Sequence, residues 1–450
     1  MVSIFETLNE IEQIDRQVDT KLAQRIPSRQ LQDYIQKQEE VVSIIPTLRH
    51  EKQIPIGQLY RDSPTPQLIT IPFDKRKTFV VVGSPGSGKT VMAKTIIFDF
   101  MHKVFGNYLA VLSPKVEYSS RLMRRNTRWR KHLAKLGLPT QQHNTKIITP
   151  EFAPSVVGEK FKFDLEDFNR LGDEEWSTAL YDILGVDDNP ASRAVIETIK
   201  SRKRPQSVTE LAFQIKQLFD ERSKTDIEGY FSPITLRTIY SRLMSARRYL
   251  GKGKPLNILE LLTKQPVVFQ STTKQRNEFV NLYAGLFLEM IRVDRTDYVN
   301  AMREGKTTNS YLNKPVVIGI EEARFFAPSS HRVVSLSKQQ LIDGVKTDRD
   351  VGISYCFVEQ DLSLLDELII NNVDYFIYKG VPSADNVNLI RRAFNRLEKQ
   401  KIEDWVAHSY TADVDAGESP LKTTTAYIDR RTIKYGESIP SLCAIVEEST

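Results

Sequence analysis

Short runs of apolar residues alternate with longer amphipathic segments over most of this chain. The apolar runs are bounded by Gly, Pro or polar positions, and such runs predict strands. The predicted strands are 79–82, 108–112, 266–270, 315–320, 352–358 and 375–378. Helical periodicity lies between them, as at 91–98 and 276–292. Strands that alternate with helices in this way predict an α/β fold with a mostly parallel sheet.

The same pattern divides the chain into five segments. Residues 1–48 carry apolar positions at helical spacing and predict an N-terminal helical arm, and residues 173–255 predict a helical insertion without strands. The strand-bearing stretches 49–172 and 256–404 are the two predicted parts of one core. Residues 405–450 remain as a C-terminal extension, which either crosses an adjacent subunit or extends into solvent.

The most specific motif is GSPGSGKT, which fits the phosphate-binding pattern GxxxxGK[ST]. It lies between a predicted strand and a predicted helix, the context in which this pattern forms a phosphate loop. Glycines let backbone N–H groups turn toward a polyphosphate, and the helix N-terminus adds partial positive charge. Lys89 would reach the β- and γ-phosphates, and the Thr90 hydroxyl would bind Mg²⁺. The predicted nucleotide-binding residues are Gly83, Ser84, Pro85, Gly86, Ser87, Gly88, Lys89 and Thr90.

Two glutamates follow the predicted strand at 315–320. Ligands of open α/β sheets bind at the carboxyl ends of the strands, so we expect both acids to face the phosphate loop. We predict that Glu321 completes the Mg²⁺ site with Thr90, and that Glu322 polarises the water that attacks the γ-phosphate. A structural acidic pair is the competing interpretation. With the phosphate loop, this doublet predicts an enzyme that hydrolyses ATP.

Two further residues are candidates for the reaction. Gln360 follows the strand at 352–358 and is predicted to contact both the γ-phosphate and the lytic water, although a structural glutamine is the alternative. Arg349 lies in the polar turn before that strand. From there it would reach a neighbouring subunit's nucleotide and stabilise the transferring phosphoryl group, unless it is simply solvated. Arg324 is a weaker candidate for the same task, and its alternative roles are to sense the nucleotide or to contact DNA.

Composition describes a globular protein of 450 residues, with 40% hydrophobic and 27% charged residues. No apolar run approaches the length of a membrane span, and the N-terminus lacks the pattern of a signal peptide. The two cysteines are too few and too distant for a disulfide framework, and the six histidines show no ligand spacing. We therefore expect a reducing, cytoplasmic setting and no structural metal.

The net charge of +6 is distributed unevenly. No acidic residue occurs between Glu117 and Glu151, and a second stretch around 237–254 is also free of acids. Basic clusters of this kind bind polyanions, of which nucleic acid is the commonest large one. Solvated helix faces are the alternative. The basic residues are Arg121, Arg124, Arg125, Arg128, Arg130, Lys131, Lys135 and Lys146, then Arg237, Arg242, Arg247, Arg248, Lys252 and Lys254.

Taken together, GSPGSGKT, IGIEEARFF, GISYCFVEQ and LIINNVDYFIYKG resemble the HerA/FtsK superfamily of ring-forming DNA-pumping ATPases, and its HerA branch most closely. The resemblance covers roughly 54–120 and 256–400 and implies a RecA-like P-loop core. It also implies a hexamer with ATP between subunits and double-stranded DNA in the central channel. Lys89, Thr90, Glu321, Glu322 and Gln360 match the functional positions of the family, and Arg349 matches its trans-acting arginine more loosely. More than two hundred residues separate Lys89 from Glu321, which fits a family with a helical insertion, since a βαβ unit needs only about 30.

The chain departs from the family in three places. Ser113 stands where members often carry an acid, Arg324 replaces the usual histidine, and the N-terminal β-barrel of cellular HerA proteins is not apparent. A plasmid, viral or divergent member is therefore as well supported as a repair helicase with a nuclease partner.

The leading hypothesis is an ATP-driven double-stranded DNA translocase, a helicase-type motor. One alternative is a conjugation or secretion ATPase of the VirB4/TraG type with a membrane transfer partner. A viral DNA-packaging ATPase and a non-hydrolytic switch that organises assembly on DNA are the others.

Overall fold

A twelve-stranded mixed sheet forms the centre of the structure, with helices on both of its faces. The computed structural model describes residues 43–59, 67–73, 76–114, 122–152, 158–184, 189–222, 231–251, 256–271, 277–330, 335–416 and 424–445. Almost all of the predicted N-terminal arm, 1–48, lies outside the described residues. Within the described ranges, every helix is too short or too polar to span a lipid bilayer.

The strands are β1 (Gln53–Gln58), β2 (Leu68–Pro72), β3 (Thr78–Gly83), β4 (Tyr108–Ser113), β5 (Leu122–Arg125), β6 (His143–Asn144), β7 (Lys146–Pro150), β8 (Glu159–Phe161), β9 (Val267–Gln270), β10 (Val316–Glu321), β11 (Ile353–Glu359), β12 (Tyr375–Lys379), β13 (Thr424–Ile428), β14 (Ile433–Ser438) and β15 (Cys443–Ile445).

The α-helices are α1 (Ile45–Glu51), α2 (Lys89–Lys94), α3 (Arg130–Lys135), α4 (Asp173–Leu184), α5 (Pro190–Arg202), α6 (Val208–Arg222), α7 (Pro233–Ala246), α8 (Ile258–Lys264), α9 (Asn277–Arg303), α10 (Leu336–Thr347), α11 (Glu367–Asn371), α12 (Ala384–Ala393) and α13 (Lys399–Ala416). Helix α2 continues as a π-helix, Thr95–Val104. Short 3₁₀ turns occupy Leu165–Arg170, Ala323–Phe325 and Leu362–Leu364.

The order of the strands in the large sheet is β2-β1-β14-β13-β12-β3-β11-β10-β4-β9-β7-β8. Every neighbouring pair from β12 to β8 is parallel, and every pair from β12 to β2 is antiparallel. All the strands that the apolar runs predicted belong to the parallel part. The predicted α/β fold with a mostly parallel sheet is therefore confirmed.

The central strands are apolar because helices cover both of their faces. Strands β3, β10 and β11 are buried at every position. Alternate side chains of β3 enter two different cores, since Val80 packs with the helices of one face and Val81 with the π-helix on the other. This explains why these strands appear in the sequence as continuous apolar runs rather than as an alternating pattern.

The described part of the segment 173–255 forms the helices α4 to α7. Their apolar side chains, Trp176 and Leu243 among them, belong to the same core as Phe287 of α9 and Leu341 of α10. Helix α4 contacts both α9 and α10. These helices therefore thicken one face of the sheet rather than forming a separately packed body.

The described residues of the C-terminal segment, 405–450, do not form a solvated extension. Strands β13 and β14 continue the sheet from β12, and Tyr427 is buried. Beyond them, the buried Asp99 carboxylate accepts hydrogen bonds from the Ser441 hydroxyl at 2.8 Å and from the Leu442 N–H at 3.0 Å. Antiparallel strands here pair the edge that β12 would otherwise expose. A contact with an adjacent subunit stays a prediction.

Candidate nucleotide-binding site

The predicted site residues converge because parallel strands end at one edge of the sheet. Strand β11 lies between β3 and β10, so the phosphate loop after β3 and the acids after β10 are separated by a single strand. Val82 pairs with Glu359, and Val358 pairs with Glu321. On the other side of β3, Lys379 of β12 pairs with Gly83. The C-terminal residues of β3, β10, β11 and β12 therefore lie together at one edge of the sheet.

The phosphate loop has the backbone that its glycines permit. Gly86 and Gly88 have φ values of 78° and 85°, the left-handed region in which residues other than glycine are strained. Lys89 follows as the first residue of α2, and its Nζ donates a hydrogen bond to the Ser84 carbonyl at 2.8 Å. The lysine is thus folded back over its own loop, and a bound phosphate would compete with that carbonyl for its ammonium group.

The two residues predicted to bind Mg²⁺ lie side by side. The Thr90 hydroxyl is 3.3 Å from Oε2 of Glu321, and this carboxylate is buried. The described residues hold no cluster of three or more His, Cys, Asp or Glu side chains that would form a metal site alone. A hydroxyl next to one carboxylate fits Mg²⁺, which binds one or two protein oxygens and completes its shell with water and phosphate oxygens.

Glu322 is held in an unusual conformation. Its φ of 49° and ψ of 56° place a non-glycine residue in the left-handed region, which costs of order 1–3 kcal/mol and is typical of functional sites. Its Oε1 accepts a hydrogen bond from the side-chain amide of Gln360 at 3.3 Å. Its Oε2 is 2.9 Å from the Arg324 guanidinium. The predicted base and the predicted glutamine are therefore in direct contact.

Arg324 interacts with Glu359 through a backbone hydrogen bond and a charge contact, and the sequence did not predict this interaction. The buried Glu359 carboxylate accepts the backbone N–H groups of Arg324 at 2.9 Å and of Gln360 at 2.7 Å. It also lies 3.6 Å from the Arg324 guanidinium. Burial raises the pKa of Glu359, and the neighbouring Glu322 raises it further against these hydrogen bonds. The available signal was an acid immediately after a mostly apolar strand.

Arg349 is not brought to this site within its own chain. It precedes β11, at the opposite edge of the sheet, and its guanidinium contacts both carboxylate oxygens of Asp374 at 2.8 Å. Its side chain is 53% exposed. It could act only on the nucleotide of another subunit, and that role stays a prediction.

Lys379 is a second site residue that sequence reasoning missed. Its side chain is buried, and its Nζ donates to the hydroxyls of Thr425 and Ser438. Burial lowers the pKa of its amine to about 7. The sequence showed only one lysine at the end of the apolar run 375–378, with no indication that its side chain points inward.

Comparisons with known proteins place this geometry in a known fold. No protein-family model matches the sequence, and no curated protein matches it significantly. The unbound bacterial conjugative coupling protein TrwB is 11% identical over 90% of this chain and 93% of its own, with a TM-score of 0.50. VirB4 of Thermoanaerobacter pseudethanolicus is 12% identical over 86% of this chain and 96% of its own, with a TM-score of 0.48. The genome packaging NTPase B204 from Sulfolobus turreted icosahedral virus 2, in complex with ATP-gammaS, is 10% identical over 81% and 98%, with a TM-score of 0.34.

The likeness to TrwB concerns the fold. At 11% identity it shows nothing beyond the fold, and the RecA-like α/β core predicted from the sequence is confirmed. Membership of the HerA/FtsK superfamily and of its HerA branch stays a prediction from the motifs.

Proposed function

We propose that this chain is an ATPase whose hydrolysis cycle drives movement of double-stranded DNA. The main support for this proposal is that three groups lie close together at one edge of the sheet. These are the phosphate loop, the Thr90–Glu321 pair at 3.3 Å, and the Glu322 carboxylate with the Gln360 amide at 3.3 Å. The first two groups would bind the phosphates and Mg²⁺, as in any protein that binds a nucleoside triphosphate, whereas the Glu322–Gln360 pair has an evident task only in hydrolysis.

The residues would divide the reaction between them. The loop N–H groups and Lys89 hold the phosphates, and Thr90 with Glu321 would hold Mg²⁺, which neutralises charge on the β- and γ-phosphate oxygens. Glu322 accepts a hydrogen bond from the attacking water and orients it. A carboxylate paired with a guanidinium is a weaker base, so Glu322 must exchange Arg324 for water before it can act.

Gln360 contacts Glu322 directly, so it is suited to report whether the γ-phosphate is intact. The trans-acting role of Arg349 requires an oligomer, and we propose the ring that the family resemblance implies.

Support for DNA as the partner comes from charge and from fold. Arg125, Arg128, Arg247 and Arg248 belong to stretches without acids, and Arg125 and Arg128 are exposed. The fold is shared with TrwB, a conjugative coupling protein, and this likeness favours DNA transfer over repair as the biological task. DNA binding through phosphate contacts would be independent of DNA sequence, and its affinity would fall with added salt. ATP and duplex DNA as substrates agree with a cytoplasmic setting.

ATP hydrolysis in the presence and absence of duplex DNA tests the proposal. We expect DNA to stimulate the ATPase of the wild-type protein and the stimulation to fall steeply with added salt. Lys89→Ala should abolish nucleotide binding and hydrolysis together. An ATPase that ignores DNA but binds an inner-membrane partner would favour a secretion ATPase instead. Wild-type protein that binds ATP but completes no single turnover would establish the non-hydrolytic switch.

A further inference from the structure

A buried lysine lies directly beneath the phosphate loop. Lys379 ends β12, and it pairs in register with Gly83, the first residue of the loop. A Cβ atom placed on Gly88, at the other end of the loop, would lie 3.8 Å from Cε of Lys379. The aliphatic stem of Lys379 therefore runs under the loop from one end to the other. Only 2% of the residue is exposed to solvent.

The amine of Lys379 has hydroxyl partners rather than a carboxylate. Its Nζ is 2.8 Å from the Thr425 hydroxyl of β13 and also contacts the Ser438 hydroxyl of β14. These two hydroxyls are bonded to each other at 2.6 Å. Among the described residues, no carboxylate forms an ion pair with Lys379. A buried ammonium group without a counter-ion is unfavourable, because burial penalises the charged form.

Within the described part of the chain, no charged group compensates for this burial. Burial is the one cause that lowers the pKa of Lys379 to about 7. Glu437 of β14 precedes Ser438, but its carboxylate accepts a hydrogen bond from the Gln58 side chain at 2.7 Å and forms no ion pair with Lys379 among the described residues. The ionisable groups on the elements around Lys379 are Lys89 and Lys94 of α2, Tyr355, Cys356 and Glu359 of β11, Tyr375 and Tyr378 of β12, Tyr427 of β13, and Lys434, Tyr435 and Glu437 of β14.

We propose that Lys379 is a second lysine of the triphosphate site, which takes up a proton when ATP binds on the opposite side of the phosphate loop. This inference rests on the proposed function of the site. A triphosphate brings several negative charges to the loop, and opposite charge close to a poorly solvated amine favours its protonated form. The phosphates would thus supply the negative counter-charge that the described residues of the chain do not provide to Lys379.

The sign of the pH dependence follows from this linkage. In the free protein the amine loses its proton as the pH rises through about 7, whereas in the ATP complex it keeps the proton to a higher pH. Below that pH the amine is protonated in both states, so its contribution to ATP affinity is constant. Above it, binding must take up a proton, and the ATP affinity should fall about tenfold for each further pH unit.

Isothermal titration of wild-type protein with ATP, in buffers of different ionisation enthalpy at pH 8, measures the proton uptake directly. Lys379→Met keeps the stem and removes the amine, so we expect it to bind ATP with close to one proton fewer than wild type. The proton that ATP itself exchanges cancels in this difference. Lys399→Met is the matched control, because the Lys399 side chain is 72% exposed on α13, and it should behave as wild type.

Equal proton uptake by wild type and Lys379→Met would overturn the inference while leaving the ATPase proposal intact. Absence of ATP binding in wild type would overturn both. If Lys379→Met does not fold, Thr425→Val serves instead. It removes one hydroxyl that accepts from the ammonium group, so proton uptake should begin at a lower pH than in wild type. An unchanged onset would also overturn the inference.

Discussion

Replacing Gly83 by alanine tests the contact between the phosphate loop and strand β12, at a φ of 157° that itself favours glycine. A Cβ atom on Gly83 would lie 2.1 Å from the Lys379 carbonyl oxygen and 2.9 Å from the Ser87 hydroxyl. Carbon and oxygen need more than about 3 Å, so the two strands must separate by about 1 Å. That carbonyl belongs to the backbone of a buried strand, and it cannot rotate away as a side chain would.

Gly86→Ala is a matched control in the same loop. A Cβ there meets no atom within 4 Å, so only the cost of its φ of 78° remains, about 1–2 kcal/mol. Overpacking typically costs about 1–3 kcal/mol and the loosened strand pairing adds to it, so we expect Gly83→Ala to lose about 3–5 kcal/mol. Urea unfolding of both variants measures the difference, and ATP titration of Gly83→Ala should show at least a tenfold loss of affinity. Equal unfolding midpoints for the two variants would refute the steric argument.

Three further substitutions test other parts of the structure. Asp99→Ala removes a buried acceptor that also bonds His143 at 2.8 Å; the unfolding free energy should fall by about 3–5 kcal/mol, and a loss below about 1 kcal/mol would contradict this. Burial raises the pKa of Glu359 above its usual 4.5, so wild type should lose stability relative to Glu359→Gln as the pH rises from 4.5 through the raised pKa; a constant difference would exclude this linkage. Glu321→Gln should raise the Mg²⁺ concentration that half-saturates hydrolysis by about 10–100-fold, and an unchanged Mg²⁺ titration would remove Glu321 from the metal site.

Local pattern was sufficient for six of the eight strands in the parallel part of the sheet, all except β7 and β8, and for placing most of the predicted site residues at one sheet edge. Strands buried on both faces leave continuous apolar runs, and the loop GSPGSGKT carries its own backbone requirements. Once the strands are parallel, their carboxyl ends share an edge, so the contact between Thr90 and Glu321 follows from topology. The contact between Gln360 and Glu322 follows in the same way.

The antiparallel half was not predicted, because its strands give weaker signals. In β14 only Gly436 and Ser438 are buried, and β1 and β2 lie among prolines. The inward direction of a single charged side chain is also a tertiary property. Glu359 and Lys379 each end an apolar strand, as many solvated residues do, and only the packing around them shows that they are buried. The contact between Arg324 and Glu322 of the same chain also depends on tertiary packing, and the sequence did not predict it.

Single-turnover ATP hydrolysis by Glu322→Gln tests most directly whether these groups form a catalytic site. The variant keeps the shape of the side chain and its contact with Gln360 but removes the basic oxygen. We expect ATP binding as tight as that of wild type and hydrolysis slower by about 10²–10⁴-fold. Hydrolysis at the wild-type rate would show that Glu322 is not the catalytic base.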